Sequence, residues 1–397
     1  MSKKLNICLT WHNLNSENYG VGALGVAHIG LLLKAAANSG TDITLTTFGT
    51  INTSRLSVRE ELESMFEIKI RHIDFSPKKD MKSLIRFKKT SISQLTAFDL
   101  ILDLGEGDSF TDIYGYKRFM VLAITKLVPL LANIKIVLSP QTIGPFNSFL
   151  PRALAKWLMK KSEAVFARDH KSVLVANELG VMAYETTDVA FSLPYSQKEK
   201  LSNSVGLNVS ALLWNGGYNE DNQFNLKLDY KELTHRLIQG LLKRKKVVHL
   251  VAHVISKNTA LENDYLICTE IKRCYEDNMN IVLAPEFVSP IEAKSYISQL
   301  EFFTGARMHA TIASVSAGVP TIPIAYSMKF DGVFGNLGYD YTLEAFSLEI
   351  DSFEKTFFDY FDHHQERIVQ KLENARSKAK LKNLEYVSKL EGILNNA

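Results

Sequence analysis

The chain has 397 residues, 46% of them hydrophobic and 22% charged. That usage excludes a disordered tail, a collagen-like rod and a disulfide miniprotein, and at roughly 150 residues per domain it predicts two or three domains or one large one. Lys and Arg number 46 against 43 Asp and Glu, a formal charge of +3; so balanced a chain has no bulk attraction for nucleic acid, and any anion site must be local.

The opening MSKKLNICLTWHN carries two lysines, but its apolar run stops at Trp11, short of a secretory signal. A strand is predicted over 5–10, followed by the glycine-bearing loop NLNSENYGVG, a helix to about 37 and a second strand over 43–48. Strands over 100–104, 134–138 and 164–167 continue the series with helical stretches between them. Buried strands joined by crossover helices predict a parallel sheet covered on both faces. No stretch is expected to reach the roughly 20 apolar residues of a membrane-spanning helix; the best candidate, 119–131, is too short and contains Lys126.

The pattern pauses at LPYSQKEKLSNS, 193–204, which reads as a linker. It restarts with strands over 204–208, 247–251, 280–284, 302–304 and 321–325, separated by helices. The expected organisation is therefore α/β: two successive units, 1–195 and 203–350, then a charged helical segment over 351–397. A ligand is expected in a cleft between the lobes, outside the carboxyl ends of the strands. Cys8, Cys268 and Cys274 lack zinc-ligand spacing, and the odd count predicts reduced thiols in a cytoplasmic protein.

The sharpest chemical feature is FFTGARMHATIASVSAGVPTIPIAYSMKFDGVFGNLG, 302–338. A strand ends, Gly305 lets the chain turn, and Arg307 and His309 fall at the mouth of the next helix. Free N–H groups and the helix dipole favour an anion there. Arginine adds bidentate recognition of phosphate or carboxylate, and histidine is a proton donor or acceptor near neutral pH. The bland alternative is a helix start with an incidental histidine.

A second feature is DLILDLGEGDSFTDIYG, 99–115, where Asp103, Glu106, Asp108 and Asp112 follow a strand. These carboxylates read as a base for sugar hydroxyls, as hydroxyl ligands or as a Mg²⁺ site; with Ser109 they also read as turn and capping chemistry. In LSPQTIGPF, Gln141 and Thr142 are placed to hydrogen-bond a ligand, although two prolines fixing a loop explain the segment equally well. Arg168, at another strand end, either meets an anion or pairs with a neighbouring acid. His253 lies just past a strand, and Glu262, Asn263 and Asp264 open the following helix. A structural histidine and an acidic first turn are the ordinary readings there. In the loop that opens at Asn18, Gly20, Gly22 and Gly25 imitate a dinucleotide fingerprint, but no acid closes the second strand (TLTTFG), which disfavours a nicotinamide cofactor while leaving close ligand approach open. Lys243-Arg-Lys-Lys246 reads as cations at a helix C-terminus. FLPRALAKWLMKK, 149–161, reads either as a core-facing helix or as one that touches a membrane surface.

Taken together and in order, NYGVGAL, LDLGEGDSFTDIYG, LSPQTIGPF, VFARDHKS, TTDVAFSLP, VGLNVS, HVISKNTALENDY and GARMHATIASVSAGVPTIPIAYSMKF resemble the polysaccharide pyruvyl transferases over roughly 5–345. Glu106 departs from that pattern, in which a glycine is expected. The resemblance implies two Rossmann-like lobes in the GT-B arrangement, with the acceptor on the first and the donor anion on the second. It further implies phosphoenolpyruvate as donor, with no separate cofactor and no metal, and a sugar of a surface polysaccharide or its lipid-linked precursor as acceptor. The product is then a cyclic pyruvate ketal, and phosphate is released.

In that reading Arg307, Arg168 and the helix mouth neutralise the donor, His309 is the acid, and Asp108, or failing it Asp103, is the base. Gly305, Gln141, Ser109, Asp112, His253, Glu262, Asn18 and Gly20 complete the substrate contacts. The expected location is cytoplasmic, at the inner face of the membrane if the acceptor is lipid-linked. Two rivals are weighed: a nucleotide-sugar glycosyltransferase on the same architecture, and a non-catalytic scaffold of a synthesis complex.

Overall fold

The computed structural model describes residues 3–50, 57–80, 90–107, 110–257 and 259–397. The chain divides into two compact units, one made of Met1–Ser16, Leu24–Ser192 and Lys380–Ala397, the other of Glu17–Ala23 and Leu193–Ala379.

The first unit holds a parallel sheet of β1 (Lys4–Thr10), β2 (Asp42–Gly49), β3 (Ile70–Asp74), β4 (Leu100–Asp103), β5 (Lys135–Gln141), β6 (Ala164–Ala167) and β7 (Tyr184–Glu185). Their order is β3-β2-β1-β4-β5-β6-β7. In register, Ile7 faces Leu45 on one side and Leu100 on the other. Central strands are buried on both faces, which is why NICL, LILD and KIVL read as continuous apolar runs and not as alternation. Trp11, just past β1, turns through the left-handed region (φ 64°). Its indole N–H donates to Thr125 Oγ1 at 3.1 Å, and its ring meets Phe75 edge-on at 5.4 Å.

The second unit holds six parallel strands, β8 (Ser204–Asn208), β9 (Val247–Leu250), β10 (Ile281–Leu283), β11 (Phe302–Gly305), β12 (Thr321–Ala325) and β13 (Leu343–Glu344), in the order β10-β9-β8-β11-β12-β13. Helix Ile350–His363 lies on helix Tyr230–Lys243. Gly240 leaves room for the Phe358 ring, and Arg244 pairs with Asp362 at 2.6 Å. The expected α/β class, with two Rossmann-like units, is the one the chain forms.

Three features differ from the sequence reading. The helix Tyr19–Ser39 begins in the second unit, because residues 17–23 belong there. The terminal segment is two helices, Ile350–His363 and Gln365–Asn396, and the last residues of the second belong to the first unit. Among the described residues the helix long and apolar enough to cross a membrane is Tyr19–Ser39, not 119–131. Most of that apolar window is buried.

Candidate functional site

In the second unit β11 ends at Gly305, and the chain turns into helix Met308–Ser316. A Cβ at Gly305 would lie 2.5 Å from Asn208 Cβ, so glycine is needed where β8 and β11 close together. Asn208 is buried and ties three strand ends: its amide donates to the Val251 carbonyl at 2.8 Å, and its Oδ1 accepts the Arg307 backbone N–H at 2.9 Å. Arg307 occupies the N-cap position without a side-chain cap, so its side chain is available for other partners.

That side chain is held by Asp264. Arg307 Nη2 donates to Asp264 Oδ1 at 2.8 Å and Nε approaches both carboxylate oxygens, while Nη2 also reaches the Glu262 carbonyl at 3.4 Å. Asp264 is fully buried and accepts backbone N–H groups from Ala211 (2.8 Å), His253 (3.2 Å) and Val254 (3.0 Å). Burial opposes the guanidinium charge, but the Asp264 carboxylate outweighs it and holds Arg307 charged. The sequence reading of Asp264 as a dipole-compensating acid missed this. It is the counter-ion that fixes the arginine's plane.

His309 stands half-buried in the first turn of the helix, and the N-terminal segment comes to it. A Cβ at Gly20 would lie 2.5 Å from His309 Nδ1, so glycine at position 20 is what lets the imidazole occupy its place. Asn18 bridges to Val254, its Oδ1 accepts Gly20 N–H at 2.9 Å, and Tyr19 N–H donates to the His253 carbonyl at 3.1 Å. His253 is buried; desolvation, reinforced by the charges of His309 and Arg307, pushes its pKa down to about 3, so it is neutral at physiological pH. Glu262 accepts the Tyr218 hydroxyl. Burial and the Glu262 carboxylate push that phenol up to about 12. Arg307, His309, His253, Glu262, Gly305, Asn18 and Gly20 are thus brought together within one unit.

The first unit treats its predicted residues differently. Asp103, at the end of β4, is 1% exposed, pairs with an equally buried Lys126 at 3.0 Å and accepts the Thr10 hydroxyl at 2.9 Å. So enclosed, it is not open to a substrate hydroxyl. Gln141 is also buried, and its amide donates to the Asp103 carbonyl at 2.9 Å. Arg168 takes the second of its two readings: it is buried with Asp188 at 3.1 Å and donates to Thr142 Oγ1 at 2.7 Å. Asp112 accepts Asn147 N–H (2.9 Å) and Ser148 N–H (2.7 Å), which fixes the entry to helix Phe149–Lys161. Burial raises its pKa, and these backbone donations outweigh that effect, leaving it below its ordinary value. Asp108 and Ser109 lie outside the described residues. Glu106, half-buried, stands at φ 59°, in the left-handed region that glycine occupies without strain.

A family model described as polysaccharide pyruvyl transferase matches residues 55–328, well over half of the chain. The chain belongs to this family. No curated protein matches it, but solved structures share its fold. MnaA of S. aureus, in a co-structure with UDP, is 13% identical over 100% of this chain and 97% of its own, with a TM-score of 0.59. A UDP-GlcNAc 2-epimerase from Methanocaldococcus jannaschii is 10% identical over 91% and 94%, with a TM-score of 0.57. MurG of Acinetobacter baumannii is 12% identical over 98% and 99%, with a TM-score of 0.52. At such identities the likeness shows the fold alone, that of the GT-B proteins.

In this polysaccharide pyruvyl transferase, single-residue reading named Arg307 and Arg168 without identifying the acids that hold them. Asp188 lies in TTDVAFS and Asp264 in HVISKNTALENDY, two of the segments that carry the family resemblance. Each proves to be the counter-ion of an arginine named separately. Reading the segments as pairs was the signal that could have found them.

Proposed function

We propose that this polysaccharide pyruvyl transferase uses phosphoenolpyruvate as donor and forms a pyruvate ketal on two hydroxyls of a sugar in a surface polysaccharide or its lipid-linked precursor. The observation that carries the reading is the Arg307–His309 pair at the mouth of helix Met308–Ser316, its arginine held by Asp264 and its histidine seated against Gly20. Phosphoenolpyruvate presents phosphate and carboxylate close together. Arg307 spends Nε and Nη2 on Asp264 and Glu262, which leaves Nη1 and the helix N–H groups for the anion.

In the proposed reaction His309 in its protonated form delivers a proton to the methylene carbon, which becomes a methyl group. The neighbouring carbon becomes oxocarbenium-like, and the first sugar hydroxyl bonds to it while losing its proton to a base. The second hydroxyl then bonds to the same carbon, the carbon–oxygen bond to phosphate breaks, and phosphate leaves with the help of Arg307, taking up the second hydroxyl's proton. Asp108 is the proposed base. Asp103 is withdrawn from that role, because its carboxylate is closed in by Lys126 and Thr10. Arg168 is likewise assigned to hold β6 against Asp188 and not to bind donor.

Thermal unfolding with phosphoenolpyruvate, phosphate and UDP tests the donor. A ligand of the folded state at 100 times its dissociation constant adds about 2.7 kcal/mol, a shift of a few degrees. Stabilisation by phosphoenolpyruvate beyond that by phosphate is expected; stabilisation by UDP alone would replace pyruvyl with glycosyl transfer.

The proposal also places the enzyme at the cytoplasmic face of a membrane. Helix Phe149–Lys161 buries Pro151, Ala155, Leu158 and Met159 and turns Phe149, Leu150 and Trp157 outward beside Arg152, Lys156, Lys160 and Lys161. A basic face with exposed aromatic and aliphatic groups suits an anionic lipid surface.

A further inference from the structure

Tyr19 opens helix Tyr19–Ser39, in the stretch Glu17–Ala23 that belongs to the second unit, and its side chain is fully buried. A tyrosine is rarely enclosed unless its hydroxyl has a partner. This one donates to the Phe287 carbonyl, in the segment that follows β10. Its ring meets His253 edge-on at 5.7 Å and Phe287 at 6.1 Å. No step of the proposed reaction uses that hydroxyl.

The buried side chain secures the backbone on either side of it. The Glu17 carbonyl accepts Ile255 N–H at 2.9 Å, and Glu17 Oε2 accepts Lys257 N–H at 3.1 Å. Asn18 bridges Val254 antiparallel, and Tyr19 N–H reaches the His253 carbonyl at 3.1 Å. Residues 17–19 therefore run as a short clip along 253–257, and the clip ends at Gly20. There the imidazole of His309 lies against bare backbone: a Cβ at Gly20 would stand 2.5 Å from Nδ1, 2.7 Å from Cγ and 2.8 Å from Cβ of His309. Any shift of the clip moves the surface on which the ring rests. The clip is itself referenced to Asp264, which accepts the N–H groups of His253 and Val254 as well as holding Arg307. Asp264 thus fixes Arg307 directly and, through residues 253 and 254, the wall behind His309.

We infer that Tyr19 is a positioning residue for His309, the bond from its hydroxyl to the Phe287 carbonyl locking the clip and with it the imidazole. The backbone bonds all run to one segment, 253–257, and leave a pivot about it. The hydroxyl reaches a second segment and removes that freedom. The inference rests on the reading of His309 as the acid. Protonation of a carbon demands close alignment of the donor nitrogen with the methylene group, and a small displacement lowers the rate. Anion binding, which depends on Arg307 and the helix N–H groups, is left intact.

The test compares Tyr19→Phe with Tyr296→Phe in the full chain. The second variant makes the same chemical change in the same aromatic cluster. The Tyr296 ring meets Phe287 at 5.4 Å, and its hydroxyl bonds His249 Nδ1 at 2.7 Å with no route to the clip. Tyr19→Phe is expected to lower kcat about tenfold while KM for phosphoenolpyruvate stays within roughly twofold. In the substrate-free protein, labelled with ¹³C in its histidines, it is also expected to move the NMR resonance that a folded His309→Ala variant lacks. Tyr296→Phe is expected to leave kcat and that resonance in place. Unchanged turnover or an unmoved His309 resonance in Tyr19→Phe overturns the inference, as does an equal loss of turnover in Tyr296→Phe. A wild-type enzyme that forms no ketal overturns the donor reading instead, and the NMR comparison then decides by itself whether Tyr19 positions His309.

Discussion

Arg307 illustrates how much a counter-ion determines at the scale of single residues. A free arginine at a helix mouth would attract anions loosely, whereas one held through Nε and Nη2 by a fully buried carboxylate presents a fixed edge. Arg307→Lys keeps the charge and loses the fork, and phosphoenolpyruvate affinity measured by titration should fall at least tenfold with little change in unfolding temperature. Asp264→Asn should cost about 3–5 kcal/mol of stability, read by denaturant unfolding, because it leaves a buried guanidinium unpaired. Gly20→Ala places a methyl group where His309 Nδ1 now sits, so turnover should drop while the fold survives. Arg307, His309 and Gly20 were legible in the sequence as types at telling positions. What could not be read was pairing. Arg168 finds Asp188 twenty residues further on, and Asp103 finds Lys126, because strand ends bring distant residues together.

At the scale of elements, strands and helices were readable because buried parallel strands form short apolar runs separated by helical periods. Residues 17–23 were not, since Ile255 N–H donates to the Glu17 carbonyl at 2.9 Å, a contact with no local signature. Also invisible was a buried polar chain through three elements of the first unit. The Thr10 carbonyl meets His12 Nδ1, His12 Nε2 meets His28 Nδ1 at 2.7 Å, and His28 Nε2 meets the Tyr386 hydroxyl at 2.7 Å. The carbonyl only accepts, so the chain carries one proton per link with both rings neutral. Burial lowers His12 to about 4 and His28 well below its ordinary value, and elsewhere lowers His249 to about 4 and His253 to about 3. Between the unfolded value near 6.5 and these folded values, the unfolded chain binds protons that the folded chain does not. Stability is therefore full above about pH 6.5 and declines as the pH falls towards 4. Urea midpoints taken from pH 7 to pH 4 should decline across that window, and less steeply for His28→Gln; a flat profile would contradict the assignment.

The whole molecule joins two parallel α/β units of the GT-B class, and the second carries the Arg307–His309 cluster past the carboxyl end of β11, where such sheets bind ligands. Its surface adds the outward face of helix Phe149–Lys161. Phe149 is 82% exposed and Leu150 66%, so Phe149→Ser with Leu150→Ser should leave the unfolding temperature unchanged. The same double variant should abolish co-sedimentation with anionic lipid vesicles, and binding to neutral vesicles should be weak in either form.

Reaction of the enzyme with ¹³C-labelled phosphoenolpyruvate and a surface-saccharide extract from its source cells, followed by NMR, addresses the central claim most directly. The account predicts one new ketal carbon bearing a methyl group for each phosphate released, and neither product from a folded His309→Ala variant. Phosphate release without a ketal carbon, or full ketal formation by that variant, would contradict it.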